Sequence, residues 1–175
     1  MLLYHKPVGE LVTRSDPQGR PTVFGQLPPG RWVAVGRLDI NSAGLLLLTD
    51  SGELANHLMH PRYAVEREYA ARVQGRLSPA DLEKLRAGVV LDDGLAAFAR
   101  IEPMRERESG GTNRWYRVVL KEGRNREVRR IFEAVGARVS RLLRVRYGSI
   151  ELPRELPPGK WLELSSEQVS GLSGR

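Results

Sequence analysis

The hydrophobic positions of this chain fall in short runs broken by Gly, Pro and polar clusters. The first, Leu2-Leu3-Tyr4, predicts a strand over residues 2–5 that Pro7-Val8-Gly9 stops. Residues 10–14 read as a second strand, 15–21 as a loop with two prolines and a glycine, and 22–27 as a short helical turn. Residues 32–35 and the run Leu45-Leu46-Leu47-Leu48-Thr49 read as strands on either side of a tight loop. Asp50-Ser51-Gly52-Glu53 has the form of a capping box, with Asp50 as N-cap and Glu53 reaching back. The helix it opens runs to Met59 and buries Leu54, Leu58 and Met59.

Residues 65–73 alternate as a strand does. Ser78-Pro79-Ala80-Asp81 starts a helix, with Ser78 as cap and Pro79 at the first helical position. Leu82 and Leu85 face inward there, and Gly88 ends it. Strands are expected over 89–91, 96–102 and 115–121, with a turn or flexible loop at Ser109-Gly110-Gly111-Thr112. Val128, Ile131, Phe132 and Val135 fall at i, i+3, i+4 and i+7, so 125–135 is the clearest helix, stopped by Gly136. Residues 139–147 read as a strand with Arg141, Leu143, Val145 and Tyr147 on one face, and 161–164 as a last short strand. No repeat or long linker divides the chain, so one domain is expected over residues 1–165, followed by a polar, frayed C-terminal tail over 166–175. Strands and helices that mix without regular βαβ alternation predict an α+β fold.

Composition narrows the partner. The 175 residues, 41% hydrophobic, supply one sizeable core or two lobes sharing a sheet. Net charge is +7 and the isoelectric point about 10.2, which points to a polyanion. Residues 114–146 alone carry +8, leaving −1 for the rest of the chain, so the polyanion site is expected mainly there. Arginine outnumbers lysine, and its planar fork suits phosphates and base edges. Cysteine is absent, which excludes disulfides, thiolate metal sites and Cys nucleophiles. No apolar run approaches the ~20 residues a membrane span needs, and no signal peptide is seen, so a cytoplasmic protein is expected.

Asp39 stands on the Gly-containing loop between the two strands that flank it, where reactive groups tend to sit. Taken alone, such an Asp is more often an Asx-turn residue. Tyr69 alone is an ordinary strand aromatic, and the arginines of 124–130 alone are a solvated helix face. His57 and His60 lie three apart, but no H-E-x-x-H pattern accompanies them, which favours surface or packing roles. Asp50, Asp92 and Asp93 recommend a magnesium nuclease only weakly, because each sits at a turn.

Three blocks, in order, change that weighting, because they resemble the motifs of the pseudouridine synthases. Gly36-Arg37-Leu38-Asp39 with Asn41-Ser42 and Gly44-Leu45-Leu46-Leu47 looks like the family's first catalytic motif. Glu66-Arg67-Glu68-Tyr69 looks like its second, and Glu122-Gly123-Arg124-Asn125-Arg126-Glu127-Val128-Arg129-Arg130 like its third. Arg141-Leu142-Leu143-Arg144-Val145-Arg146-Tyr147-Gly148 follows, and the likeness runs from Leu3 to about Leu164. His5-Lys6-Pro7, Asp16-Pro17-Gln18-Gly19-Arg20-Pro21-Thr22-Val23 and Gly52-Glu53-Leu54-Ala55-Asn56 are similar to the branch that modifies ribosomal RNA, named for RsuA.

The resemblance implies a bilobed α+β catalytic domain with a long mixed, largely antiparallel sheet and a central cleft. It implies an isomerase that flips uridine out of ribosomal RNA, that of the large subunit, and converts it to pseudouridine without metal or cofactor. Asp39 would be the nucleophile and Arg129 its counter-charge. Tyr69 would stack on the uracil, near the proton that must leave, and Val128 would form part of the wall under the base. Arg37 would fill the space left by the flipped nucleotide. Arg124, Arg126 and Arg130 would be phosphate contacts or local salt bridges, and Arg141 and Arg144 further RNA contacts. The implied partner is single-stranded or stem-loop ribosomal RNA, bound by a monomer. Members of this branch carry a small S4-type RNA-binding domain ahead of the catalytic domain. The motif blocks here begin at the catalytic domain, which implies weaker RNA binding than with such a domain attached. The rival from another class is a non-catalytic RNA-binding or ribosome-assembly module on the same fold. Basic charge fits both, and the set Asp39, Tyr69 and Arg129 favours the enzyme.

Overall fold

A computed structural model describes residues 1–105 and 111–174. In chain order the elements are β1 (Leu2–Lys6), β2 (Val33–Ala34), β3 (Ala43–Thr49), α1 (Gly52–Met59), β4 (Arg67–Gln74), α2 (Pro79–Ala87), β5 (Val89–Leu91), β6 (Gly94–Ala96), β7 (Arg100–Pro103), β8 (Asn113–Leu120), α3 (Glu127–Glu133), β9 (Arg138–Tyr147), β10 (Ile150–Glu151), β11 (Trp161–Glu163) and α4 (Ser166–Ser173). One long sheet runs β11-β1-β3-β9-β4-β8-β7, with β10 on β9 and β2 on β3; β5 and β6 form a separate hairpin. Among the described pairs of named strands only β3–β9 is parallel, so the fold is the expected α+β with a mixed, largely antiparallel sheet.

That parallel pair is the seam between two lobes. In the first, β3 is buried on both faces. Leu45 and Leu47 pack with Leu58 of α1 and Leu172 of α4, while Leu46 and Leu48 pack with Leu2, Tyr4 and Val23. An unbroken leucine run is what a strand covered on both sides requires. In the second lobe Ala71 and Val73 of β4 and Val118 and Leu120 of β8 meet Leu85 of α2 and Ile131 and Phe132 of α3. The apolar stripe of α3 is therefore core, as its spacing indicates.

Several expectations need correction. The cap of α1 is Ser51, whose side chain accepts from the Leu54 N–H; Asp50 stands one residue outside. Residues 10–14 make no strand, only a bridge from Leu11 to Thr22. The strand expected over 96–102 is divided between β6 and β7. The tail expected to fray is α4, closed by a Ser165–Gln168 capping box and anchored by Leu172. Two bulges reset β9: Glu68 pairs with Arg146 but Tyr69 with Arg144, and Arg72 pairs with Arg141 but Val73 with Val139. Val145 and Ser140 are the extra residues. The shared face is thus Val139, Leu142, Arg144 and Tyr147, rather than Arg141, Leu143, Val145 and Tyr147. Ser109 and Gly110 of the expected 109–112 turn lie outside the described residues. No helix among the described residues is long and apolar enough to cross a membrane.

Candidate active site at the seam

One edge of β3 is lined by β1. The other is shared, with β9 on Ala43 and Gly44 and β2 on Leu48 and Thr49. Between them the edge opens. Val35 N–H donates to Leu47 O at 2.8 Å, and Arg144 Nε donates to Leu45 O at 2.8 Å. Only glycine fits position 44, because φ is +112° and a Cβ would lie 2.2 Å from the Arg144 carbonyl oxygen. The loop that returns from β2 to β3 spans this opening and carries Asp39 into a cleft of about 990 Å³. That is the size of a site for a small organic group.

Asp39 begins a turn closed by Ser42 N–H to Asp39 O at 3.0 Å. Two buried cations brace this turn from below. Lys6 donates to Ser42 O at 2.6 Å, Pro7 O at 2.9 Å and Ile40 O at 3.5 Å. Burial pushes its pKa down to about 8, against the opposing pull of Glu10 and Asp39. Arg129 donates to Val139 O at 3.1 Å, Asn41 O at 3.4 Å and Ser42 Oγ at 3.5 Å. Burial lowers its pKa, the charge of Arg126 adds to this, and Asp39 and Glu133 oppose it. The direct ion pair to Asp39 comes from Arg126, Nη1 to Oδ2 at 3.0 Å, and not from Arg129. This corrects the geometry expected of Arg129, which supports the turn's backbone within the field of the carboxylate.

Beside Asp39 the cleft wall is apolar: Leu38, Tyr69, Leu120, Val128 and Leu142 all line it. Tyr69 is 8% exposed and Val128 4%. The Val145 bulge lies opposite Tyr69, the kind of irregularity that re-aims a side chain. Arg37 is exposed on the cleft's margin. Arg144 lies beneath the cleft, 3% exposed, and shares Tyr147 with Arg67, their guanidinium carbons 5.1 and 4.9 Å from the ring centroid. Arg141 pairs with Arg72 on the opposite face, exposed and away from the cleft lining. Arg124 and Arg130 are both held by Asp93, at 2.9 Å each. Asp93 is therefore a clamp on the arginine loop, its carboxyl lowered chiefly by Arg130. His57 stacks on Tyr63 at 3.8 Å, and His60 Nδ1 accepts from the Arg62 N–H, both packing roles.

Lys6 escaped notice as a working residue. Its signal was present: Lys6 shares one face of β1 with the apolar Leu2 and Tyr4, and all three are buried. Arg67, with its guanidinium on the Val65, Leu58 and Met59 carbonyls, was likewise visible only as part of a motif.

The sequence model of the family described as RNA pseudouridylate synthase matches residues 1–134, which hold Asp39, Tyr69 and Arg129. This chain belongs to that family. It is 59% identical over 177 residues to the ribosomal large subunit pseudouridine synthase B of Escherichia coli strain K12, covering 98% of this chain and 59% of that protein. To the protein of the same description from Haemophilus influenzae it is 57% identical, covering 98% of this chain and 48% of that protein. The chain thus spans about half to three-fifths of the length of these curated relatives. A crystal structure of pseudouridylate synthase superposes with a TM-score of 0.85 at 23% identity, covering 98% of this chain and 72% of that one. The archaeal box H/ACA sRNP Nop10–Cbf5 complex gives 0.62 at 18% identity, covering 90% and 50%. These last two likenesses establish that the pseudouridylate synthase fold is shared.

Proposed function

We propose that this chain isomerises uridine to pseudouridine in large-subunit ribosomal RNA, with Asp39 as nucleophile. The observation that carries the reading is Asp39 itself, a carboxylate set on a cation-braced turn beside the apolar wall formed by Leu38, Tyr69, Val128 and Leu142. The N1–C1′ bond breaks, the uracil turns, and a C5–C1′ bond forms. C5 loses a proton and N1 gains one, so nothing enters or leaves overall and no cofactor is required. The Asp39 carboxylate serves the electron-poor sugar carbon while that bond is open. Tyr69 packs on the base, with Val128 in the wall beneath it. Arg129 and Lys6 keep positive charge beside a carboxylate that has to remain ionised. A paired nucleotide cannot present C1′ to such a cleft, so the target is flipped, with Arg37 at the margin to fill its place.

The same reading takes the protein to act on single-stranded or stem-loop RNA, as a monomer, in the cytoplasm. Arg124 adds positive charge at the cleft, held there by the same Asp93 that pairs with Arg130. An unmodified transcript of large-subunit rRNA, incubated with the protein and mapped for pseudouridine at single-nucleotide resolution, tests it. Conversion at one or a few defined uridines is expected. Binding without conversion at any position would favour the non-catalytic RNA-binding module.

A further inference from the structure

The pair between Arg126 and Asp39 differs from the other ion pairs of the arginine loop. Arg124 is fixed: its N–H donates to Glu127 Oε2 at 3.0 Å, and its guanidinium is held by Asp93, Glu122 and the Leu95 carbonyl. Arg130 is fixed on Asp93 and on Asn125 O. Arg126 reaches the other way, across the cleft. Its backbone is left-handed, φ 51° and ψ 31°, and Ala64 is the only other described non-glycine residue with positive φ. Such conformations persist where the surroundings over-determine them, and they collect at functional sites. Here the clamped neighbours hold the loop in the shape that sends Arg126 to Asp39. The pair is half open to solvent, with side chains 43% and 31% exposed. Asp39 keeps other positive charge if Arg126 leaves, because Lys6 and Arg129 are buried on the carbonyls of its turn.

We propose that Arg126 is an exchangeable latch. Without RNA it holds the Asp39 carboxylate; when an RNA strand occupies the cleft, its guanidinium passes to a phosphate of that strand and frees Asp39 for the sugar. The proposal rests on the reading of Asp39 as a nucleophile toward RNA. Three physical features support it. A guanidinium pairs with phosphate at least as well as with carboxylate. An ion pair this exposed is weak, so exchanging it costs little. A carboxylate oxygen held by a guanidinium has less of its charge to offer a sugar carbon.

The test is a double-mutant cycle read by RNA binding. Wild type, Asp39→Asn, Arg126→Gln and the double variant are titrated with an unmodified large-subunit rRNA transcript over a series of KCl concentrations. Asp39→Asn should bind about two- to fivefold more tightly than wild type, because Arg126 no longer has to leave a carboxylate. That gain should vanish in the Arg126→Gln background. Arg126→Gln should also lower the log–log salt slope by about 0.7–0.9, the share of one phosphate contact. Arg126→Lys, which keeps the charge, should restore the slope. Equal effects of Asp39→Asn in both backgrounds would reduce the matter to a lost negative charge and overturn the latch, as would a slope that Arg126→Gln leaves unchanged. A wild-type chain that makes pseudouridine while failing this cycle refutes the latch alone. A chain that binds the transcript but never converts it refutes the proposed function, and a chain that does not bind it refutes both.

Discussion

Gly44→Ala tests the seam on which the cleft depends. At φ +112° an alanine is strained, which costs about 1–3 kcal/mol. Its Cβ would stand 2.2 Å from Arg144 O and 2.6 Å from Arg144 N. Ordinary contact lies at 3.4–4 Å, so the β9 backbone must withdraw by about 1 Å. That movement breaks the short parallel ladder of Ala43 and Gly44 with Leu143 and Arg144, and pulls Arg144 Nε from Leu45 O. Each lost hydrogen bond costs about 1 kcal/mol. The total is roughly 4–6 kcal/mol, a large part of the ~5–15 kcal/mol that holds an ordinary domain together. Gly136→Ala is the control. Its φ is +77°, but no atom lies within 4 Å of the added Cβ, so only strain of about 1–2 kcal/mol remains. Urea unfolding followed by tryptophan fluorescence measures both. If the two variants lose the same stability within about 1 kcal/mol, the close approach of β3 and β9 does not constrain the fold and the argument for Gly44 fails.

Three further perturbations separate roles that the sequence alone runs together. Arg129→Ala should lower the single-turnover rate at saturating RNA by about 10²-fold or more, and Arg130→Ala by less than about tenfold, because the first unsupports the Asp39 turn and the second loosens an exposed clamp; equal losses contradict that division. Lys6 has a folded pKa of about 8 against an ordinary 10.5, so between those values the unfolded chain binds more protons and this group's contribution to stability rises with pH. Wild type should therefore gain stability relative to Lys6→Met as pH goes from 8 to 10.5 in urea titrations, and a flat difference would show that Lys6 is not held in this desolvated state. Leu172→Ala should cost about 2–4 kcal/mol through the cavity it leaves against α1 and β3, whereas a frayed tail would lose nothing in the same unfolding assay.

How much of this was legible in the sequence depended on whether a pattern keeps its period. Leu45 to Leu48 announce a strand, which the structure buries on both faces, and Val128, Ile131 and Phe132 announce the apolar stripe of α3, because neither run is interrupted. Strand β9 misleads because Ser140 and Val145 each insert one residue against β4. Period-two counting then assigns Arg141 to the wrong face and misses that Arg144 is buried under the cleft. Helix α4 misleads for another reason. Its composition is polar, and only Leu172 is buried, so the packing that holds it is invisible until α1 is in place. Asp39, Tyr69 and Val128 were singled out by the resemblance of their segments to the pseudouridine synthase motifs, not by local spacing, and they line one cleft. Which arginine faces Asp39 was not legible, since it turns on a left-handed backbone at Arg126 that no residue type there signals. Lys6 was legible in principle from its place two residues after Tyr4 on one face of β1, but a buried lysine is rare enough that a branch marker was the simpler reading.

The proposed function requires that the Asp39 carboxylate perform the chemistry. Its most direct test is release of the C5 hydrogen from a large-subunit rRNA transcript labelled at uridine C5, measured in single turnover at saturating protein. Wild type should release label in step with pseudouridine formation. Asp39→Asn keeps the size of the side chain and leaves the Ser42 N–H bond to the residue 39 carbonyl in place, so folding is retained. A loss of about 10³-fold or more in rate is expected, with the transcript still bound. Release of label by Asp39→Asn at a rate near wild type would show that the Asp39 carboxylate is not the nucleophile.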